Sequence, residues 1–139
     1  MKTYTELKKQ QQKEFNAFPI KYAFSKEQFN NALSSWGLKE KDTKKIVSIG
    51  CGGFIRESDK KAYVEMIARH KKEHQDAINA DTTGEGYIYQ MFYTEMCNHE
   101  YGYTYELDDS LSAVGITYEE VEKNPKLRHG LEMAMSKFN

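Results

Sequence analysis

The sequence predicts a small α+β protein: a mostly helical single domain over residues 1–139, with a long antiparallel helix hairpin and an antiparallel sheet of two or three short strands. Three observations carry this. Apolar residues recur at helical spacing along most of the chain. A glycine cluster, Gly50-Cys51-Gly52-Gly53, joins two short runs rich in β-branched and aromatic residues. The length is that of one domain, and ten Tyr, seven Phe and one Trp supply enough apolar surface for a core despite 29% charged residues.

The elements follow in order. Tyr4, Leu7 and Phe15 form a thin apolar stripe on a helix over residues 3–17, which Pro19 ends. Ile20-Lys21-Tyr22-Ala23-Phe24 alternates as a strand does. Ser25 with Gln28 has capping-box spacing, and Phe24 and Phe29 are placed to form a hydrophobic staple. Phe29, Leu33 and Trp36 then share one face of a helix over 26–36, which Gly37 stops. Residues 45–56 read as a β-hairpin. Ser58 is placed to cap a long helix over 59–79. The run Asp81-Thr82-Thr83-Gly84-Glu85-Gly86 breaks the chain, and a second long helix reaches about residue 100 before Gly102. Short helices follow. One is capped by Asp108 or Asp109 and ends at Gly115; the next starts at the Thr117/Glu120 box. The last opens at Asn124-Pro125, with Leu127, Leu131, Met135 and Phe138 on one face.

Composition excludes several classes. Twenty basic and 21 acidic residues leave a net charge of −1, so there is no strong nucleic-acid signal. The one basic-looking run, Lys39 to Lys45, is diluted by Glu40 and Asp42 and reads as a solvated loop. No apolar run approaches the roughly 18 residues of a membrane span. Two cysteines make no disulfide framework. The polar start Met1-Lys2-Thr3-Tyr4 lacks the apolar core of a signal peptide, and the expected compartment is the cytoplasm.

Ile46-Val47-Ser48-Ile49-Gly50-Cys51-Gly52-Gly53 is similar to the first motif of the class I methyltransferases, where a strand ends in a glycine turn beneath S-adenosylmethionine. That chemistry needs a helix directly after the glycines and an acid at the end of the next strand. Here Phe54-Ile55-Arg56 follows, so the cluster reads as a hairpin turn and no such cofactor is expected.

The two long helices place polar groups among apolar ones. His70 and His74 lie in the stripe of Tyr63, Ile67, Ala77 and Ile78; Glu95 and His99 lie in that of Ile88, Met91, Phe92 and Met96. In an antiparallel hairpin centred between Gly84 and Glu85, His74 faces Glu95 and His70 faces His99. Such a set can hold a divalent metal such as Zn, closed as a structural site or open for hydrolysis. It can equally be a hydrogen-bonded polar network with no cofactor, because polar groups among apolar ones must be partnered.

A second cluster is aromatic: Tyr87, Tyr89, Tyr93, Tyr101, Tyr103 and Tyr105. Tyrosine suits protein interfaces, offering a large apolar area with a polar tip. The same residues suit a second core layer under the C-terminal helices, where Cys97 would be a small buried hydrophobe. Tyr- and Met-rich helix faces also permit a homodimer.

The segments Tyr4-Thr5-Glu6-Leu7, Gly52-Gly53-Phe54-Ile55-Arg56, Asp81-Thr82-Thr83-Gly84-Glu85-Gly86 and Asn98-His99-Glu100-Tyr101 run through nearly the whole chain. In them the chain resembles an uncharacterised family of small proteins from Gram-positive bacteria, their phages and their conjugative elements. The resemblance carries no catalytic residue. It implies a small cytoplasmic accessory protein of a mobile element, which acts by binding a host or competitor protein, such as a defence nuclease. Two functions are therefore expected to compete. One is a non-enzymatic binder, an inhibitor of a host defence such as a CRISPR effector. The other is a metal-dependent hydrolase or nuclease built on His70, His74, Glu95 and His99. The lack of any complete catalytic motif favours the binder.

Overall fold

The computed structural model describes residues 2–139. The protein is α+β: among the described residues, eight α-helices accompany one three-stranded antiparallel sheet. The chain divides into two compact units. One is Gln12–Lys71; the other is Lys72–Asn139 with the described residues up to Gln11. Helices α1 (Tyr4–Ala17) and α3 (Lys60–Ala80) each carry residues of both. No helix among the described residues is long and apolar enough to cross a membrane.

In the unit Gln12–Lys71, β1 (Lys21–Tyr22), β2 (Ile46–Gly50) and β3 (Gly53–Arg56) pair in the order β1-β3-β2, all antiparallel. The glycine cluster is the expected hairpin turn: Gly50, Cys51 and Gly52 have φ of 91°, 53° and 77°. Such values suit glycine, and Cys51 adopts one with a side chain in place. Helix α2 (Lys26–Ser35) is capped as its sequence predicts, Ser25 Oγ accepting from the Gln28 N–H at 3.1 Å. Gln28 Oε1 in return accepts from the Phe24 N–H, one residue earlier than in the usual box. The staple does not form. Phe29 packs on Phe54 with ring centroids 5.2 Å apart, while Phe24 stays 77% exposed and lies over Gly52. Leu33, Phe54, Ile55 and Met66 are the buried hydrophobic residues here. On α3 the stripe is rotated from the expected one, since Met66 is buried and Ile67 exposed.

The second unit is built around α4 (Tyr87–Asn98), in which Ile88, Met91, Phe92 and Met96 are wholly buried. Around it lie α5 (Tyr101–Thr104), α6 (Asp108–Val114), α7 (Tyr118–Lys123) and α8 (Pro125–Ser136), with Tyr4 and Leu7 of α1 in the same core. Three expected signals work here. Gly115 ends α6 with φ of 71°, Thr117 Oγ1 accepts from Glu120 N–H at 3.1 Å, and Asn124 Oδ1 accepts from the Lys126 and Leu127 N–H groups. Helix α8 crosses close to the loop before α4. A Cβ on Gly130 would stand 2.6 Å from the Gly84 carbonyl oxygen and 2.6 Å from Ile88 Cγ2.

Candidate functional site

The loop 81–86 organises the start of α4. The Asp81 carboxylate accepts four backbone N–H bonds, from Gly84 at 2.9 Å, Ile88 at 3.0 Å, Gly86 at 3.1 Å and Thr83 at 3.2 Å. Burial works against its charge, but these donors outweigh burial and hold its pKa below the ordinary value. The carboxylate also sits at the positive end of the helix dipole. Beside the loop is an open cavity of about 520 Å³, lined by Lys2, Thr3, Asp81, Tyr87, Tyr89 and Gln90 among others. Asp81 has already taken N–H groups that an anion would use. The Gln90 amide oxygen accepts from the Tyr4 N–H at 2.6 Å.

Glu95 lies where the helical periodicity puts it, inside the buried face of α4 and only 4% exposed. The structure does not give it His74 as a direct partner. The Tyr4 hydroxyl donates to Glu95 Oε2 at 2.6 Å, and the Asn98 amide donates to Oε1 at 2.8 Å. His74 instead meets Tyr87, Nδ1 lying 2.6 Å from the hydroxyl. The Tyr4 ring stands against both, edge-on to His74 at 6.1 Å and to Tyr87 at 5.6 Å. The physical reason is the docking of α1. Its first turn inserts an aromatic ring beside His74, and the ring's hydroxyl satisfies the buried acid. Burial opposes the Glu95 charge, but the bonds from Tyr4 and Asn98, with the Lys8 charge, leave its pKa below the usual carboxylate value. Burial and then the Glu95 bond drive the Tyr4 hydroxyl pKa up. Burial, assisted by Lys8, pushes His74 down against the Val114 carbonyl, a hydrogen-bond partner of the ring. A neutral His74 that donates to Val114 accepts the Tyr87 proton at Nδ1.

His99 ends α4, its N–H donating to the Glu95 carbonyl at 2.9 Å. His70 Nε2 lies 3.2 Å from Glu14 Oε2, and Arg69 shares that carboxylate. Glu95 thus pairs with Tyr4 and Asn98, His74 with Tyr87 and the Val114 carbonyl, and His70 meets Glu14. Among the described residues no group of three or more His, Cys, Asp or Glu side chains could hold a metal ion. The sequence found Glu95 and His74 but missed Tyr4 and Gln90. Its available signal was the need of a buried tyrosine hydroxyl for a partner.

A family model described as a family of unknown function (DUF7659) matches residues 3–137. The chain belongs to that family. No curated protein and no solved structure matches it.

In this DUF7659 chain the tyrosine cluster splits. Tyr87 and Tyr101 are buried, Tyr89 is half-buried, and Tyr93, Tyr103 and Tyr105 are exposed. Cys97 is exposed as well, not a buried hydrophobe, because the core does not extend over that side of α4. Five rings form a continuous series. Tyr89 stacks on Tyr93 at 5.8 Å, Tyr93 meets Phe138 at 5.6 Å, Phe138 meets Tyr101 at 5.2 Å, and Tyr101 meets Tyr105 at 5.6 Å. The one-turn helix α5 is held at both ends by residues with left-handed backbone, Glu100 at φ 56° and Tyr105 at φ 57°. Buried Tyr101 anchors it while Tyr103, between those ends, is 86% exposed.

Proposed function

We propose that this protein works by binding a protein partner through the tyrosine face around α5. One observation carries the reading: Tyr103 projects 86% exposed from a turn whose conformation is set by buried Tyr101 and two left-handed residues. A large ring held in a fixed backbone loses little conformational freedom on binding, which is what an interface anchor needs. The resemblance noted in the sequence supplies the setting: the cytoplasm of a bacterium that carries a mobile element. The partner there is a host or competitor protein, a defence nuclease such as a CRISPR effector being the case in view.

The test is site-specific photocrosslinking in cells. With Tyr103→p-benzoylphenylalanine, light should give one discrete protein adduct, and the same probe at exposed Lys61 should not. No adduct at position 103, or the same adducts at both positions, sinks the reading.

A further inference from the structure

In the sheet order β1-β3-β2, strand β2 is an edge. The antiparallel ladder fixes which of its backbone groups face outward. The Ala23 N–H donates to the Gly52 carbonyl at 3.0 Å, so Gly52 and Phe54 turn their backbone groups toward β1, and Gly53 and Ile55 turn theirs toward β2. Val47, opposite Ile55, therefore bonds within the sheet. Its neighbours Ile46 and Ser48 point their N–H and C=O groups away from it. Among the described residues, no bond from outside the sheet reaches these groups. The register shift between Ser48 and Gly50 ends the regular edge on one side, and the 3-10 turn Thr43–Lys45 ends it on the other. Sheet edges are ordinarily guarded by charge or proline. The run Ile46-Val47-Ser48-Ile49 has neither, and Ser48 is exposed.

We propose that this edge pairs antiparallel with the β2 edge of a second copy, the two-fold axis passing through Val47. That register sets Ile46 of one copy opposite Ser48 of the other, and the reverse. Each N–H of these residues then meets the carbonyl opposite, and no outward group is left over. The edge is thus complementary to itself: two outward residues bracket an inward one, and a two-fold through the middle exchanges them. Val47 meets its own copy as a β-branched pair. Charge selects the same arrangement. Lys44 and Lys45 are exposed and lie at one end of β2 only. The two-fold carries them to opposite ends of the joint and sets Lys45 beside the uncharged Ile49 of the other copy. Parallel pairing would line up lysine with lysine, which is unfavourable. With no charge in the strand itself, β2 has nothing to favour a foreign strand of particular sequence. The opposite edge, β1, is two residues long, so pairing closes at two copies instead of running on as a fibre. The contact uses none of the residues of the α5 face.

Sedimentation equilibrium of the full chain should show a dimer whose share grows with concentration. Ser48→Pro removes an outward N–H while leaving the bonds to β3, and it should weaken the dimer about tenfold. Disulfide trapping reads the register, in a Cys51→Ser/Cys97→Ser background that removes the two native thiols. Residues opposed in a non-hydrogen-bonded antiparallel pair have Cα atoms roughly 4.5 Å apart, within disulfide reach. Val47→Cys should therefore link two copies under mild oxidation. Thr43→Cys should not, because its mates would lie roughly 20 Å or more apart along the joint. A chain that stays monomeric near millimolar concentration overturns the inference. So does a dimer that Ser48→Pro leaves intact, which would belong to another surface, and so does linkage at position 43 equal to that at 47. If thermal melting shows that Ser48→Pro does not fold, the trapping at 47 against 43 decides alone.

Discussion

Tyr4 and Glu95 are 91 positions apart, yet the Tyr4 hydroxyl is the shortest bond that the buried carboxylate accepts. Removing one partner of a buried polar pair costs the desolvation of the group left behind, so Tyr4→Phe should destabilise by about 1–3 kcal/mol. The pH dependence follows from the direction of the shift. The folded-state pKa of Glu95 is depressed, so its contribution is present above its unfolded pKa, about 4.3, and is lost as pH falls through the folded value. His74 has the same sign at a higher window, its contribution being present above about 6.5 and lost on further acidification. Tyr4→Phe takes away a bond that holds the Glu95 pKa down, so the folded value moves toward the unfolded one and less stability should be lost on acidification, a shallower acid limb than the parent's. Urea melts from neutral pH to about pH 3 will read this. Superimposable pH profiles for Tyr4→Phe and the parent chain would show that the hydroxyl does not hold the carboxylate. The sequence made Glu95 and His74 legible because helical periodicity puts them among apolar residues. It could not pair them correctly, because helix α1 enters that space from the far end of the chain and nothing local records it.

At the scale of elements, caps were the most legible feature, since a cap is written within four residues. Ser25, Thr117 and Asn124 all accept the N–H bonds that their spacing implies, whereas α6 starts after Leu107 with no side-chain cap, Asp108 and Asp109 lying inside its first turn. Features that depend on what covers a face were less legible. Phe24 lies over the Gly52 turn rather than on Phe29, and Cys97 lies on an uncovered side of α4. The crossing of α8 over loop 81–86 belongs to the same class: Gly130 looks like a weak point in a helix, and its role appears only against Gly84. Alanine there would ordinarily favour the helix by about 1 kcal/mol. Here its Cβ meets the Gly84 carbonyl, a backbone atom with no rotamer to escape into. Gly130→Ala should therefore destabilise on balance by about 1–3 kcal/mol, as overpacked cores do. Thermal melting decides it, and a raised melting temperature would mean that α8 and the loop separate at no cost.

For the whole molecule the distribution of charge matters more than its sum. The net charge of −1 does not show that residues 100–122 carry seven acids and no base. Fields fall off within about 10 Å at moderate salt, so a surface probe senses the nearest segment and not the total. The chain should therefore be retained on an anion exchanger near neutral pH at low salt, as a protein of −1 with mixed charges would not be. Glu106→Gln/Asp109→Asn/Glu122→Gln should elute at clearly lower salt. Neutralising three acids in the basic-surplus remainder, such as Glu27, Glu40 and Glu65, changes the net charge equally and should move elution less. Equal shifts for the two sets would mean that the column reads net charge alone. In that event the acids of residues 100–122 would form no concentrated field.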